Sequence, residues 1–259
     1  ERLWNSETNQ YQWQFSPSFT GTKQVWQNAT RDNSLFLSTA VQLNSHQLKP
    51  VFDWFKDTLK FSSVIGFDPD YSASLCLQNK KEDILKFLHA ADLNINDIRV
   101  ETEDFTPSVL PNDMPEPIRE MIIDGMKDKK MINIQTVHID NNGNLIEFDL
   151  EDESDGTQKF FAFAGPWLDV LANGYVLLVD ELHDNLHPKL VQFLVELFHN
   201  KETNPKNAQL IFTTHETSIL NQDVFRRDQI WFCERNKEQE TIVYPLSDFS
   251  PKKGKENLE

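Results

Sequence analysis

The chain predicts an α/β fold with a mostly parallel sheet, antiparallel β hairpins and a helical block. Three observations carry this. The second half alternates short apolar runs with helical patterns, in the order YVLLVD, HPKLVQFLVELFHN, AQLIFTTH. Strands that alternate with helices argue for parallel pairing. Within YVLLVD the stretch Val176–Val179 is continuously apolar, as in a strand buried on both faces. Finally, INIQTVHID and LIEFDL surround NNGN, which predicts an antiparallel hairpin with a tight I′-type turn.

The remaining elements follow in chain order. Trp4, Tyr11, Trp13 and Phe15 flank the polar stretch NSETNQ, which suggests a first hairpin. Leu35–Leu37 reads as a short strand-like run. Gln47–Phe61 reads as a helix, with Leu48, Val51, Phe52, Phe55 and Leu59 at helical spacing. Over 61–130 the texture is mostly helical. KKEDILKFLHAADL puts Ile84, Leu85, Leu88 and Ala91 on one face. NDMPEPIREMIIDGMKDKK is a second helix, with Pro115 and Pro117 suiting its first turn and a basic end complementing its dipole. The Pro-rich TPSVLPNDMPEP separates the two. Their charged faces read as solvated surface. Over 131–259 come the NNGN hairpin, a helix in ESDGTQKFFAFAGPWLDVLANG, the alternating segments above, a short helix after SIL, and strands QIWFCE and TIVYPL.

Composition narrows the function classes. With 259 residues and 39% hydrophobic content, the chain can bury a sizeable core. Its formal net charge of -16 repels nucleic acid, so DNA would be met through a local basic patch or a partner. Cys76 and Cys233 form no CxxC pair and read as small buried hydrophobes. No apolar run is long enough to span a membrane, and ERLWNSETNQ lacks an apolar signal core. A cytoplasmic location is the expectation. The chain opens without Met inside a strand-like stretch and closes on KKGKENLE, so a fragment of a longer polypeptide is expected.

The chemistry concentrates in three places. Asp180 and Glu181 follow the apolar run, at the carboxyl end of a strand, where open α/β sheets bind ligands. An Asp there can hold magnesium, and a Glu one residue later can orient or deprotonate a water attacking a phosphate. This is the Walker B arrangement, although acids at strand ends also serve simply as turn residues. LIFTTH reads as a second buried strand and ends in His215, on a neighbouring parallel strand, where an imidazole can bond a terminal phosphate oxygen. His46, His89, His138 and His199 read as structural histidines. Ser154 and Gly156 open a helix, where free N–H groups bind anions. On its own that start reads equally well as an ordinary N-cap.

His183 and His187 are spaced four apart, as in HExxH. Asp184 occupies the place of the Glu, and Pro188 marks a helix start rather than an interior. A zinc site needs both histidines on one helical turn, so HDNLHP reads as a turn leading into a helix and not as a zinc site.

In this order the three motifs resemble the second half of an ABC-type ATPase head, as in the RecF, SMC and OLD-like groups. LLVDEL-x-x-x-LHP followed by IFTTHE is especially similar to ATP-binding proteins of bacterial phage-defence operons, the RloA-like and Septu PtuA-like ATPases. NSLFLSTAVQLNSHQLKPVFDWF and YPLSDFSPKKGKENLE also look like that group. The resemblance implies an ABC-ATPase head divided into 1–60 (the remainder of lobe I), 61–130 (a helical insertion) and 131–259 (lobe II). It implies ATP and Mg2+ as cofactors. Asp180 would hold the metal, Glu181 would be the catalytic base and His215 the switch histidine. Ser154 and Gly156 would form the signature facing the opposite subunit's γ-phosphate, and Asp184 would sit in the D-loop. Gln42 stands where a Q-loop glutamine would. The signature reads SDGT rather than SGGQ, and no GxxxxGK[ST] string occurs. The family carries that Walker A loop near its N-terminus, upstream of where this chain begins.

The implied function is an ATP-binding and hydrolysing subunit of an anti-phage complex. Its heads dimerise or form higher oligomers and gate a toxic effector such as a nuclease; nucleic acid is met through the complex, and no membrane is involved. Two alternatives stay open. One is a DNA-repair ATPase that clamps DNA. The other is a non-hydrolysing scaffold for a partner nuclease or reverse transcriptase.

Overall fold

The structure is a computed structural model that describes residues 2–5, 7–62, 67–111, 114–126, 130–221 and 223–249. The basic end expected at 127–129 and the tail KKGKENLE lie outside the described residues. Contacts divide the chain into two units, Glu1–Lys60 and Phe61–Glu259.

In the first unit, β1 (Arg2–Asn5) and β2 (Gln10–Trp13) form the expected antiparallel hairpin, with Trp4 edge-on to Tyr11 at 4.9 Å. Helix α1 (Lys23–Ala29) follows. The strand expected at Leu35–Leu37 is instead the start of α2 (Phe36–Gln42). Phe36 and the buried Ala40 lie four residues apart on one face, and Phe36 packs on Trp13 and Phe15 at 5.3 and 5.5 Å. That tertiary contact selects the helix over the local strand preference. The helix expected over Gln47–Phe61 is shorter. It covers α3 (Lys49–Asp53), continues as a π turn over Trp54–Thr58, and gives way to β3 (Leu59–Phe61). Val51 and Phe55 are exposed, so no continuous apolar stripe holds a longer helix.

The second unit is built around one helix. In chain order it holds α4 (Pro69–Leu75), α5 (Lys81–Ala90), β4 (Asp97–Asp104), α6 (Glu116–Met126), β5 (Lys130–Ile139), β6 (Leu145–Asp149) and α7 (Asp155–Asn173). Then come β7 (Val176–Val179), α8 (Pro188–His199), β8 (Gln209–Phe212), β9 (Trp231–Arg235) and β10 (Thr241–Pro245). Helix α7 buries Phe160, Phe161, Phe163 and Trp167 almost completely. Phe160 stacks on Phe87 of α5 at 4.9 Å, and Trp167 donates its indole N–H to the Leu194 carbonyl of α8 at 3.3 Å. The region 61–130 therefore shares the core of the sheet behind it, and it contains β4 among its helices.

Pro166 lies inside α7 and has no N–H for the Ala162 carbonyl. The fully buried Ser72 of α4 fills the gap, donating to Ala162 O at 3.2 Å and accepting the Gly165 N–H at 2.9 Å. One hydroxyl thus satisfies the helix where proline interrupts it and pins α4 against it.

Strands β7 and β8 are parallel, with Val176 opposite Gln209 and Val179 opposite Phe212. On the other side of β7, Ser62 N–H donates to the Leu178 carbonyl at 2.9 Å. Strand β7 is buried as its apolar run predicts, but β8 is not, since Ile211 is 55% exposed. The outer strand is covered on one side only. Strands β4, β5 and β6 form a separate antiparallel sheet, and β9 and β10 pair antiparallel. The hairpin expected around NNGN is present, but its turn is not I′. Asp140 and Asn144 close a three-residue loop, Gly143 N–H bonds Asp140 O at 3.0 Å, and only Gly143 (φ 84°) is left-handed there. This is a type I turn with a glycine bulge, held by Asp140 Oδ1 accepting from the N–H groups of Asn142 and Asn144. The short helix expected after SIL is absent among the described residues there; single 3-10 turns cover Thr217–Ile219 and Arg227–Gln229 instead. Cys233, expected to be buried, is exposed on β9, while Cys76 is half-buried and its thiol is pushed up to about 11, chiefly by burial.

Candidate functional site

The turn leaving β7 is pinned at two points. Leu182 and Leu186 are buried in the core, and Leu182 N–H donates to Thr213 O at 3.1 Å. Between and before these anchors the chain presents Asp180, Glu181, Asp184 and Asn185 to solvent. Glu181 and Asn185 both hold left-handed backbones, at φ 51° and 52°. Asparagine adopts this region readily, but for Glu181 it is strained, and strain of that kind is found at functional sites.

Glu181 is held in that shape by a neighbour. Its N–H donates to Thr213 Oγ1 at 2.8 Å, and the same hydroxyl donates to an Asp180 carboxylate oxygen. Thr213 follows β8, where its own N–H still continues the ladder to Val179 O at 3.0 Å. The two parallel strands thus bring Asp180 and Glu181 beside the segment that carries His215. His215 itself lies three residues past the end of β8 and is exposed. Its Nε2 faces the Nε2 of His183 at 3.0 Å, with the rings edge to face. The Glu216 carboxyl is held below its usual range, first by the Ser218 N–H it accepts, with His183 and His215 adding smaller effects.

The second expected group assembles around the start of α7. Ser154 caps the helix, its Oγ accepting Thr157 N–H at 3.2 Å. Gly156 lies so close to the turn after β7 that a Cβ there would approach Asn185 O to 3.2 Å. Lys159, one turn on, donates to Asp184 O at 2.6 Å and to Asp184 Oδ2 at 3.2 Å. The start of α7 and the turn 181–186 are therefore one body. The same turn reaches His215 through His183 and α7 through Asp184 and Asn185.

His187 is the N-cap of α8, its Nδ1 accepting Lys189 N–H at 3.2 Å, and Pro188 is the first helical residue. His183 and His187 are thus engaged separately. Gln42 is the last residue of α2, in the first unit. Beside the start of α7 lies an open cleft of about 640 Å3, lined by Asp70, Asp149, Asp155, Lys159 and Asp184 among others. Burial and then Asp68 push the Asp70 carboxyl up. Asp180, Glu181 and His215 lie outside this acidic cleft.

Three contributors escaped the sequence reading, namely Thr213, Lys159 and the pairing of His183 with His215. Thr213 lies two residues before His215, directly after β8, and that place at the strand end is the signal for it. The other two depend on how a loop folds back.

With this geometry in view, residues 6–221 match the family described as "AAA domain, putative AbiEii toxin, Type IV TA system". The chain belongs to this family. It is accordingly an AAA/ABC-like ATPase domain of mixed α/β fold. No curated protein matches the chain. Among the described residues no helix is long and apolar enough to cross a membrane.

The residues present fit Mg2+. That ion keeps several waters and takes one or two carboxylates together with phosphate oxygens. Asp180 is exposed and oriented by a hydroxyl, as such a site requires. Among the described residues no group of three or more His, Cys, Asp or Glu could hold a metal ion, which is compatible with an ion that draws most of its ligands from water and substrate.

Proposed function

We propose that this chain is the signature-bearing part of an ATP-hydrolysing head in an anti-phage complex, of the RloA-like or PtuA-like kind. The single observation that carries the reading is the β7–β8 rim. There one threonine hydroxyl orients Asp180 and fixes the backbone of Glu181. Support also comes from the family, whose description names a toxin of a type IV toxin–antitoxin system.

Magnesium, when bound, neutralises charge on the terminal phosphates. Asp180 holds it. Glu181, exposed on its left-handed turn, orients the attacking water and accepts its proton. His215 donates a hydrogen bond to a terminal phosphate oxygen. Ser154 and Gly156 serve a different nucleotide, the one bound on a facing copy, by offering the free N–H groups of the α7 start. Because Asp184 is bonded to Lys159 of that helix and Asn185 O lies close against Gly156, the turn after β7 carries motion between the two nucleotides. ATP-driven dimerisation of heads then gates a separate effector such as a nuclease.

These 259 residues hold no GxxxxGK[ST] string, so the test uses the whole protein. Wild type and Glu181→Gln are compared for ATP binding and hydrolysis. Binding kept with hydrolysis reduced by about 100-fold or more identifies Glu181 as the base. Absence of nucleotide binding in both proteins sinks the reading and favours a scaffold.

A further inference from the structure

His183 and His215 face each other through their outer ring nitrogens at 3.0 Å. A hydrogen bond between two such nitrogens holds one proton. Two would collide, and none would leave lone pairs opposed. The other nitrogen of His183, Nδ1, is buried and has no hydrogen-bond partner among the described residues. A proton there would be an orphaned buried donor, which folded proteins avoid more strictly than an under-used acceptor. The proton between the rings therefore belongs to His183, and His215 Nε2 is the acceptor.

We propose that His183 is a positioning residue that keeps the switch histidine withdrawn. It fixes the His215 proton on Nδ1 and occupies His215 Nε2, so that nitrogen cannot donate to a phosphate oxygen until the pair opens. The inference rests on the nucleotide-site reading above and deepens it. A phosphate oxygen is an acceptor only, so it demands an N–H from His215. The terminal phosphate of ATP and the ring of His183 therefore compete for one nitrogen. Because His183 sits in the turn that also carries Asp184 and Asn185 against the start of α7, release of the pair frees the same turn that meets the facing copy. Each nucleotide would thus report its arrival through this turn.

The test uses the whole protein labelled with 15N-histidine, without nucleotide, as wild type, His183→Phe and His183→Gln. Two-bond proton–nitrogen spectra read which nitrogen of each imidazole carries the proton. Wild type is expected to show His215 protonated on Nδ1. The Phe variant keeps the ring volume but removes the donor, and should move the His215 proton to Nε2. The Gln variant restores an N–H donor and should return His215 to its wild-type state, which a packing effect alone would not do. ATP should bind the Phe variant roughly three- to tenfold tighter, the worth of one net hydrogen bond, with ADP affinity unchanged. The same His215 protonation site in wild type and the Phe variant, or an unchanged ATP affinity, overturns the proposal. Failure of the site reading looks different. Neither wild type nor variant would then bind ATP, and the withholding role falls with it whatever the spectra show.

Discussion

The seat of α7 and the rim of β7 and β8 solve opposite problems. At the seat, Ser72 is fully buried and its one hydroxyl completes a helix that Pro166 interrupts. At the rim, Thr213 is exposed and its one hydroxyl joins Asp180 to the backbone of Glu181. The chemistry of the two bridges is the same, but water can replace only the second. A buried bridge stores stability. An exposed bridge stores geometry, since losing it costs little free energy yet releases the groups it aimed. The expectation is a clean division, in which changes at the seat unfold the protein and changes at the rim leave it folded and inactive.

The strongest way to break that division is Trp167→Ala. Trp167 is fully buried, stacks on Phe163 at 4.9 Å and bonds Leu194 O. Its loss should cost about 3–5 kcal/mol by denaturant unfolding. A cost near zero would mean that α7 is not the centre of the core.

Ser72→Ala comes next. It leaves the Ala162 carbonyl, which Pro166 cannot serve, without its donor in the buried core and removes the contact to Gly165 N–H, so a loss of about 1–3 kcal/mol is expected. Pro166→Ala in the same protein sharpens the test, because it returns an N–H to Ala162 O. The double variant should recover part of the loss, and simple additivity would show that the hydroxyl does not substitute for the missing helix bond.

These two sites also mark what the sequence discloses. The apolar run of β7, the capped start of α7, the helix after Pro188 and both hairpins were legible, because each depends on periodicity, capping or turn chemistry within a few residues. Asp180 and Glu181 were legible as residues at the end of a strand, whereas His215, read as the end of the next strand, lies three residues past β8 in the loop that follows it. Ser72, Thr213 and Lys159 were not, because each acts on a partner 25 or more residues away. The same limit explains the errors. Leu35–Leu37 reads as a strand until Phe36 finds Trp13 and Phe15. Strand β8 reads as buried until its place beside β7 leaves Ile211 uncovered. At NNGN the residue type was right but the turn was set by Asp140, which lies just outside the four residues read.

Ser154→Ala lies between seat and rim. The cap bond to Thr157 is exposed, so about 1 kcal/mol of stability should go. The loss should be the same with and without ATP if Ser154 acts only as a cap. A larger effect on ATP-driven dimer formation than on unfolding would place its hydroxyl at the facing nucleotide.

The smallest stability effect, and the sharpest contrast with Ser72, is expected for Thr213→Val. The side chain keeps its shape, and water can take over both bonds at an exposed strand end, so unfolding should shift by no more than about 0.5 kcal/mol. What goes is the restraint on Glu181. Its N–H loses the oxygen that supports a left-handed backbone at φ 51°, and Asp180 loses the hydroxyl that orients it. Hydrolysis should therefore fall while ATP binding persists, in the same direction as Glu181→Gln but less deeply, because the carboxylate is still present and only its aim is lost. If Thr213→Val instead lowers stability as much as Ser72→Ala and leaves turnover intact, the rim is a structural clasp. The division between a buried bridge that holds the fold and an exposed one that aims the chemistry then fails at its most specific point.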